Sequence, residues 1–146
     1  MKSLAQQHGL QNCACFNVRK SARVLTQHYD TALQPIELRV TQFTILGVLS
    51  FHSGITVTDL ADYLMMDRTT LTRNLRPLEN QGLVNTRPGD DKRTRLIELS
   101  KKGKNRLEKA IPLWKKAQKQ VTDYMGRNRF NKFLTELNYV DNIPTT

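Results

Sequence analysis

Residues 56–100, TVTDLADYLMMDRTTLTRNLRPLENQGLVNTRPGDDKRTRLIELS, decide the fold. Thr56 with Asp59 three residues on forms a variant capping box, with Asp in place of Glu or Gln. Leu60, Ala61 and Leu64 behind it are the buried stripe of a short helix. Asp67 follows almost at once as a second cap. From there Leu71, Leu75 and Leu78 bury one face of a longer helix, and Thr69, Thr70, Thr72, Arg73 and Arg76 project from the other. Gln81-Gly82 closes it, Gly82 being suited to the left-handed position past a helix end. Two β-rich runs, residues 83–87 and 94–99, then flank the turn Pro88-Gly89-Asp90-Asp91-Lys92-Arg93, which reads as a hairpin. Ser100 caps the long helix that follows.

Two short helices joined by a tight turn and followed by a basic hairpin make a winged helix-turn-helix. Such a module lays its second helix in the major groove of DNA while the wing reaches the backbone or the adjacent minor groove. The side chains suit that placement. Arg68, Arg73 and Arg76 can make bidentate hydrogen bonds to guanine edges or phosphates, and Thr69, Thr70 and Thr72 can meet phosphate oxygens or thymine methyls. This face carries no acid until Glu79.

Outward from the module, Cys15, Val18, Ala22, Leu25, Tyr29 and Ala32 recur at helical spacing, and Pro35 ends that helix. Thr41 is expected to cap a second helix carrying Phe43, Ile45, Leu46 and Leu49. Beyond the hairpin, Leu107, Ala110, Ile111, Trp114, Val121, Tyr124 and Met125 share a face; Gly126 breaks the helix, and Phe130, Phe133, Leu134 and Leu137 mark a last one. The fold class is therefore mainly α with a small β-hairpin wing. One domain spans 1–146, with 41–99 as the DNA-binding part and 1–35 and 100–146 as dimerisation helices. The two flanks carry apolar stripes that a winged unit of about 60 residues cannot cover alone, so a homodimer is expected.

Composition agrees. The 146 residues hold 23 Lys+Arg against 13 Asp+Glu, a net charge of +10 with pI near 10. That balance points to a polyanionic partner, nucleic acid before membrane surface. No apolar run nears the roughly 20 residues of a membrane span and residues 1–10 offer no signal-peptide core, so a cytoplasmic chain is expected. The charge is unevenly placed: residues 51–100 are neutral, with seven basic and seven acidic groups, and residues 101–146 carry eleven against four. Within the neutral part, residues 68–95 hold seven basic and three acidic groups.

The run Asp67–Leu75, then Leu78-Glu79, Gln81-Gly82-Leu83-Val84, and Asp91-Lys92-Arg93 leading into Leu99-Ser100-Lys101-Lys102-Gly103, closely resembles the MarR family of bacterial transcriptional regulators. The D-x-R signature ahead of L-[ST]-x-x-G is its most specific element. The resemblance implies a homodimer whose terminal helices interlock and whose two wings read an inverted repeat in double-stranded DNA. Repression relieved by a small aromatic or anionic ligand, or by thiol oxidation, is the implied mode. By position, the helix from Asp67 is the recognition helix, Arg93 is the wing-tip arginine that enters the minor groove beside Lys92, and Asp91 holds the wing turn. Two departures stand out. Met65 occupies a turn position where the family often has Gly: either its φ is positive and Met is strained, or the turn differs. Pro77 lies inside the recognition helix and removes a bond to the Arg73 carbonyl, so a kink is expected.

Cys13 and Cys15 are candidate sensor thiols. Cys15 falls on the apolar stripe and reads as a small buried hydrophobe. If Asn12 caps the helix, both thiols lie in its first turn, where the backbone dipole favours thiolate. Two residues apart in a regular helix, they could not bond to each other. His8, His28 and His52 show no metal spacing, and neither metal nor cofactor is expected. Arg23, Tyr29 and His52 are candidates for lining an effector pocket. No enzyme signature appears. The alternative class is an architectural protein that coats DNA through charge without sequence preference.

Overall fold

The computed structural model describes residues 1–145. Seven helices and three short strands follow one another: α1 Leu4–Gln7, α2 Ala14–Leu33, α3 Val40–Leu49, β1 Ile55–Thr56, α4 Val57–Tyr63, α5 Arg68–Asn80, β2 Val84–Pro88, β3 Arg95–Leu99, α6 Lys101–Met125 and α7 Arg127–Val140. Single 3-10 turns sit at Leu10–Asn12 and Gln34–Ile36. The expected mainly helical winged fold is present, with one addition. The wing is a three-stranded antiparallel sheet in the order β1-β3-β2, since Ile55 and Thr56 pair with Ile97 and Leu96.

The three caps read from sequence are formed. Thr56, Asp67 and Ser100 accept hydrogen bonds from the backbone N–H of Asp59, Thr70 and Gly103. Each satisfies one of the donors that a helix start leaves unpaired. The α3 start differs from expectation. Arg39, not Thr41, is the cap residue, because Asp30 on α2 accepts from the Val40 N–H at 2.7 Å and Gln42 accepts from the Arg39 N–H. A tertiary acceptor thus starts the helix earlier than its own sequence would.

One core joins the winged unit to the flanking helices. Leu60, Leu71, Leu75, Leu78, Leu83 and Ile97 meet Ile45, Leu46 and Leu49 of α3, with Leu33, Leu107 and Ala110 closing it from α2 and α6. Phe43 stacks on Trp114, ring centroids 5.8 Å apart. Pro77 does not end α5, which runs through it to Asn80.

The junction between wing and α6 explains the Leu-Ser-x-x-Gly run. Ser100 donates from its hydroxyl to the Gly82 carbonyl at 2.6 Å and from its N–H to the Leu83 carbonyl at 3.1 Å. Gly103 lies so close to that same carbonyl that a Cβ there would overlap the Leu83 oxygen.

Met65 resolves one departure. Its φ is +51° and its side chain is 74% exposed, so it is strained and has little packing to lose. Met65→Gly should raise stability by about 1 kcal/mol, a thermal midpoint shift of roughly 3 °C, because Gly removes the left-handed penalty at some cost in unfolded-chain entropy. A melting curve showing no rise would place the turn's strain elsewhere.

Candidate nucleic-acid interface

The outer face of α5 gathers five of the sequence-predicted residues. Arg68, Thr69, Thr72, Arg73 and Arg76 line a shallow groove of about 530 Å³ with Pro77 and Asn80. Helical spacing explains the grouping, because the residues at 68, 72 and 76 and at 69 and 73 recur every turn on the side opposite Leu71, Leu75 and Leu78. All three arginines are exposed, and none is held in an ion pair among the described residues.

Asp67 and Thr70 do a different job. The Asp67 carboxylate accepts from Thr70, and these hydrogen bonds, aided by the charge of Arg73, hold its pKa below the ordinary aspartate value. The ionised form that caps the helix therefore persists to more acidic pH than a free aspartate would allow. Thr70 is half-buried on the flank of the helix, and its carbonyl accepts from the Asn74 amide. The Asp67–Thr70 bond fixes where α5 begins.

The wing is built the same way. Asp91 Oδ1 accepts from the Arg93 N–H at 3.0 Å, and the Asp91 carbonyl accepts from both the N–H and the hydroxyl of Thr94. That closed turn leaves Lys92 and Arg93 exposed at the tip. Arg87 is occupied instead: its guanidinium donates to Glu98 at 3.1 Å and to the Ser53 carbonyl at 3.3 Å. The site is thus a row of exposed cations and hydroxyls on a helix whose start Asp67 caps, plus a cationic hairpin tip whose turn Asp91 closes.

These elements match known proteins. Residues 36–94 fit the MarR family model. The organic hydroperoxide resistance transcriptional regulator of Bacillus subtilis is 33% identical over 105 residues, covering 71% of this chain and 71% of that protein. The chain belongs to the MarR family. The Mycobacterium tuberculosis transcriptional regulator MosR, solved in complex with DNA, is 41% identical with a TM-score of 0.79, covering 89% of this chain and 96% of that one. A mutant of Escherichia coli MarR, solved with operator DNA, is 21% identical with a TM-score of 0.83 over 98% of this chain and 100% of its own, and shows the shared fold. MarR family members are DNA-binding transcriptional regulators and not enzymes. No helix among the described residues is long and apolar enough to cross a membrane.

The remaining sequence candidates are more scattered in this MarR-family chain. Cys13 and Cys15 are both exposed, so Cys15 is not the buried hydrophobe its position on the stripe suggested. Cys13, not Asn12, is the cap residue of α2, with extended backbone, so the two thiols are not both inside a regular helix. Arg23, Tyr29 and His52 do not come together. Arg23 borders a hollow on α2, the Tyr29 hydroxyl donates to Gln118 on α6 with its pKa raised by burial, and His52 meets Tyr63 edge-on at 6.0 Å. A larger cleft of about 630 Å³ lies between α2 and α6, lined by residues that include Val24, His28, Leu113 and Lys116. Sequence reading missed His28 and Lys116 there, because only the packing of two distant helices puts them side by side.

Proposed function

We propose that the chain acts as a homodimeric repressor that binds an inverted-repeat operator with half-sites about one helical turn apart, and that a small ligand or thiol modification releases it. In this reading residues 1–146 form one unit. Residues 41–99 read DNA through Arg68, Thr69, Thr72, Arg73, Arg76, Lys92 and Arg93, positioned by Asp67, Thr70 and Asp91, and 1–35 and 100–146 dimerise.

The observation that carries the dimer is the uncovered apolar surface of the terminal helices. Leu4, Leu10, Phe16, Val18, Val24, Leu134, Tyr139, Val140 and Ile143 are all exposed, and α7 has no buried residue. Exposed apolar side chains in this number on the terminal segments of a single chain call for a partner surface. Helix α2 continues the same pattern, since Leu33 is its only buried residue and Cys15, Val18 and Ala22 of its apolar stripe are exposed.

Two effector routes fit. The α2–α6 cleft, with Lys116 and His28 beside Val24 and Leu113, suits a small aromatic or anionic ligand. Another MarR-family fold, CouR, was solved with p-coumaroyl-CoA bound. The exposed thiols at the start of α2 suit an oxidant, and the Bacillus subtilis relative is a regulator of organic hydroperoxide resistance. Replacing both Cys13 and Cys15 with Ser should leave DNA binding intact and abolish its loss on peroxide treatment in a gel shift. Unchanged release in that variant would remove the thiol route.

The operator reading is tested by selecting bound genomic fragments with the purified protein. A regulator should prefer its own site over bulk DNA by at least about 10³-fold at physiological salt, whereas a charge-driven coating protein would show a flat preference.

A further inference from the structure

Arg95 is a wing cation that the D-x-R signature does not include, and strand parity decides where it points. In the β2–β3 ladder Val84 faces Leu99, Thr86 faces Ile97 and Pro88 faces Arg95, so these six residues share one face of the hairpin. That face looks toward α5: Val84 and Ile97 are buried in the core, and the Thr86 hydroxyl lies 3.3 Å from Glu79 Oε1 on the recognition helix. Arg95 extends this inner face past the end of the core, where it is exposed and borders a hollow at the hairpin's end together with Arg87, Lys92 and Thr94. Among the described residues no carboxylate stands within ion-pair distance of it. The opposite face holds Arg87, which Glu98 and the Ser53 carbonyl already engage. Glu79, the one acid on α5, accepts a hydrogen bond from Thr86 on this inner face, nearer the core than Arg95.

We propose that Arg95 clamps the phosphate strand separating the major groove entered by α5 from the minor groove reached by the wing tip. A winged module with its helix in one groove and its hairpin in the next must straddle that strand. A guanidinium on the hairpin's inner face meets phosphate oxygens as a two-pronged donor. Such a contact sets the register of the protein on the duplex and reads no base. The proposal rests on the winged unit docking on DNA through α5 and the wing; the operator need not be known to test it.

The test is a salt titration of affinity for one duplex, comparing the unaltered protein with Arg95→Gln, Arg95→Lys and Arg87→Gln. Removing one phosphate contact per protomer should make the log–log salt slope shallower by about 0.9 for each bound copy. At physiological salt Arg95→Gln should bind about tenfold more weakly, by the same factor on preferred and unrelated sequences, with an unchanged thermal midpoint. Arg95→Lys should keep the slope, and so should Arg87→Gln. An unchanged slope in Arg95→Gln, an equal change in Arg87→Gln, or a loss confined to one base position would each overturn the clamp. Failure of the operator reading shows separately, as an unaltered protein that binds every fragment alike, and the slope comparison is still read on any duplex.

Discussion

Gly103→Ala should lower the thermal midpoint by about 10 °C and weaken DNA binding with it. The added Cβ would overlap the Leu83 carbonyl oxygen and sit 2.8 Å from a Leu99 methyl. The first of these is backbone and cannot rotate away, so the first turn of α6 must lift off the start of β2. That movement strains or breaks the Ser100 bonds to the carbonyls of Gly82 and Leu83. Overpacking of this kind costs roughly 1–3 kcal/mol and each lost hydrogen bond about 1 kcal/mol more. A total near 3 kcal/mol corresponds to about 10 °C for a chain of this length. Gly47→Ala is the matching control: it lies within α3, an added Cβ there meets nothing within 4 Å, and helix propensity favours the alanine. Equal midpoints for the two variants would mean that the junction yields without resistance.

The same junction shows which parts of the fold a sequence makes legible. Thr56, Asp67 and Ser100 can be read as caps because each bonds a backbone N–H only three residues ahead. The arginines of α5 can be read because one helical period puts them opposite three leucines. Contacts between distant segments are not legible in this way. Strand β1 is two residues long and exists only because Leu96 and Ile97 arrive beside it. The α3 start moves because Asp30 reaches it from α2. Helix α1, absent from the sequence reading, does carry a local signal, since Ser3 and Gln6 form a reciprocal capping box.

The site divides along the same line. Asp91 is assigned to the wing turn by the family resemblance, and the bond that holds the turn spans two residues. Cys15 is expected to be buried because its stripe is apolar, yet the stripe's N-terminal half finds no cover within the chain. The effector candidates scatter for a related reason: periodicity says which face of α2 is apolar, but only the approach of α6 makes the cleft at His28 and Lys116. Arg95 needs the strand register, because a one-residue shift in pairing would send it to the other face of the hairpin.

Arg73→Ala should weaken binding to a full inverted repeat by about 10³-fold but to an isolated half-site by only about 30-fold. Arg73 lies mid-way along the exposed face of α5, between Thr69 and Thr72 on one side and Arg76 and Pro77 on the other, in the groove those residues line. A bidentate arginine on a guanine edge is worth about 2 kcal/mol of discrimination, roughly 30-fold in affinity at one half-site. Two symmetric copies lose it twice, so the factors multiply. The loss should be confined to sequences carrying the contacted base at that position. Arg93→Ala should behave differently, weakening all sequences more evenly, because the minor groove offers a degenerate pattern and a wing arginine responds chiefly to groove width. The squared relation is the sharper result, since it requires two chains reading equivalent half-sites with equivalent residues. A protein that coats DNA by charge would lose the same factor on every duplex, and a monomer would lose the same factor on one half-site as on two.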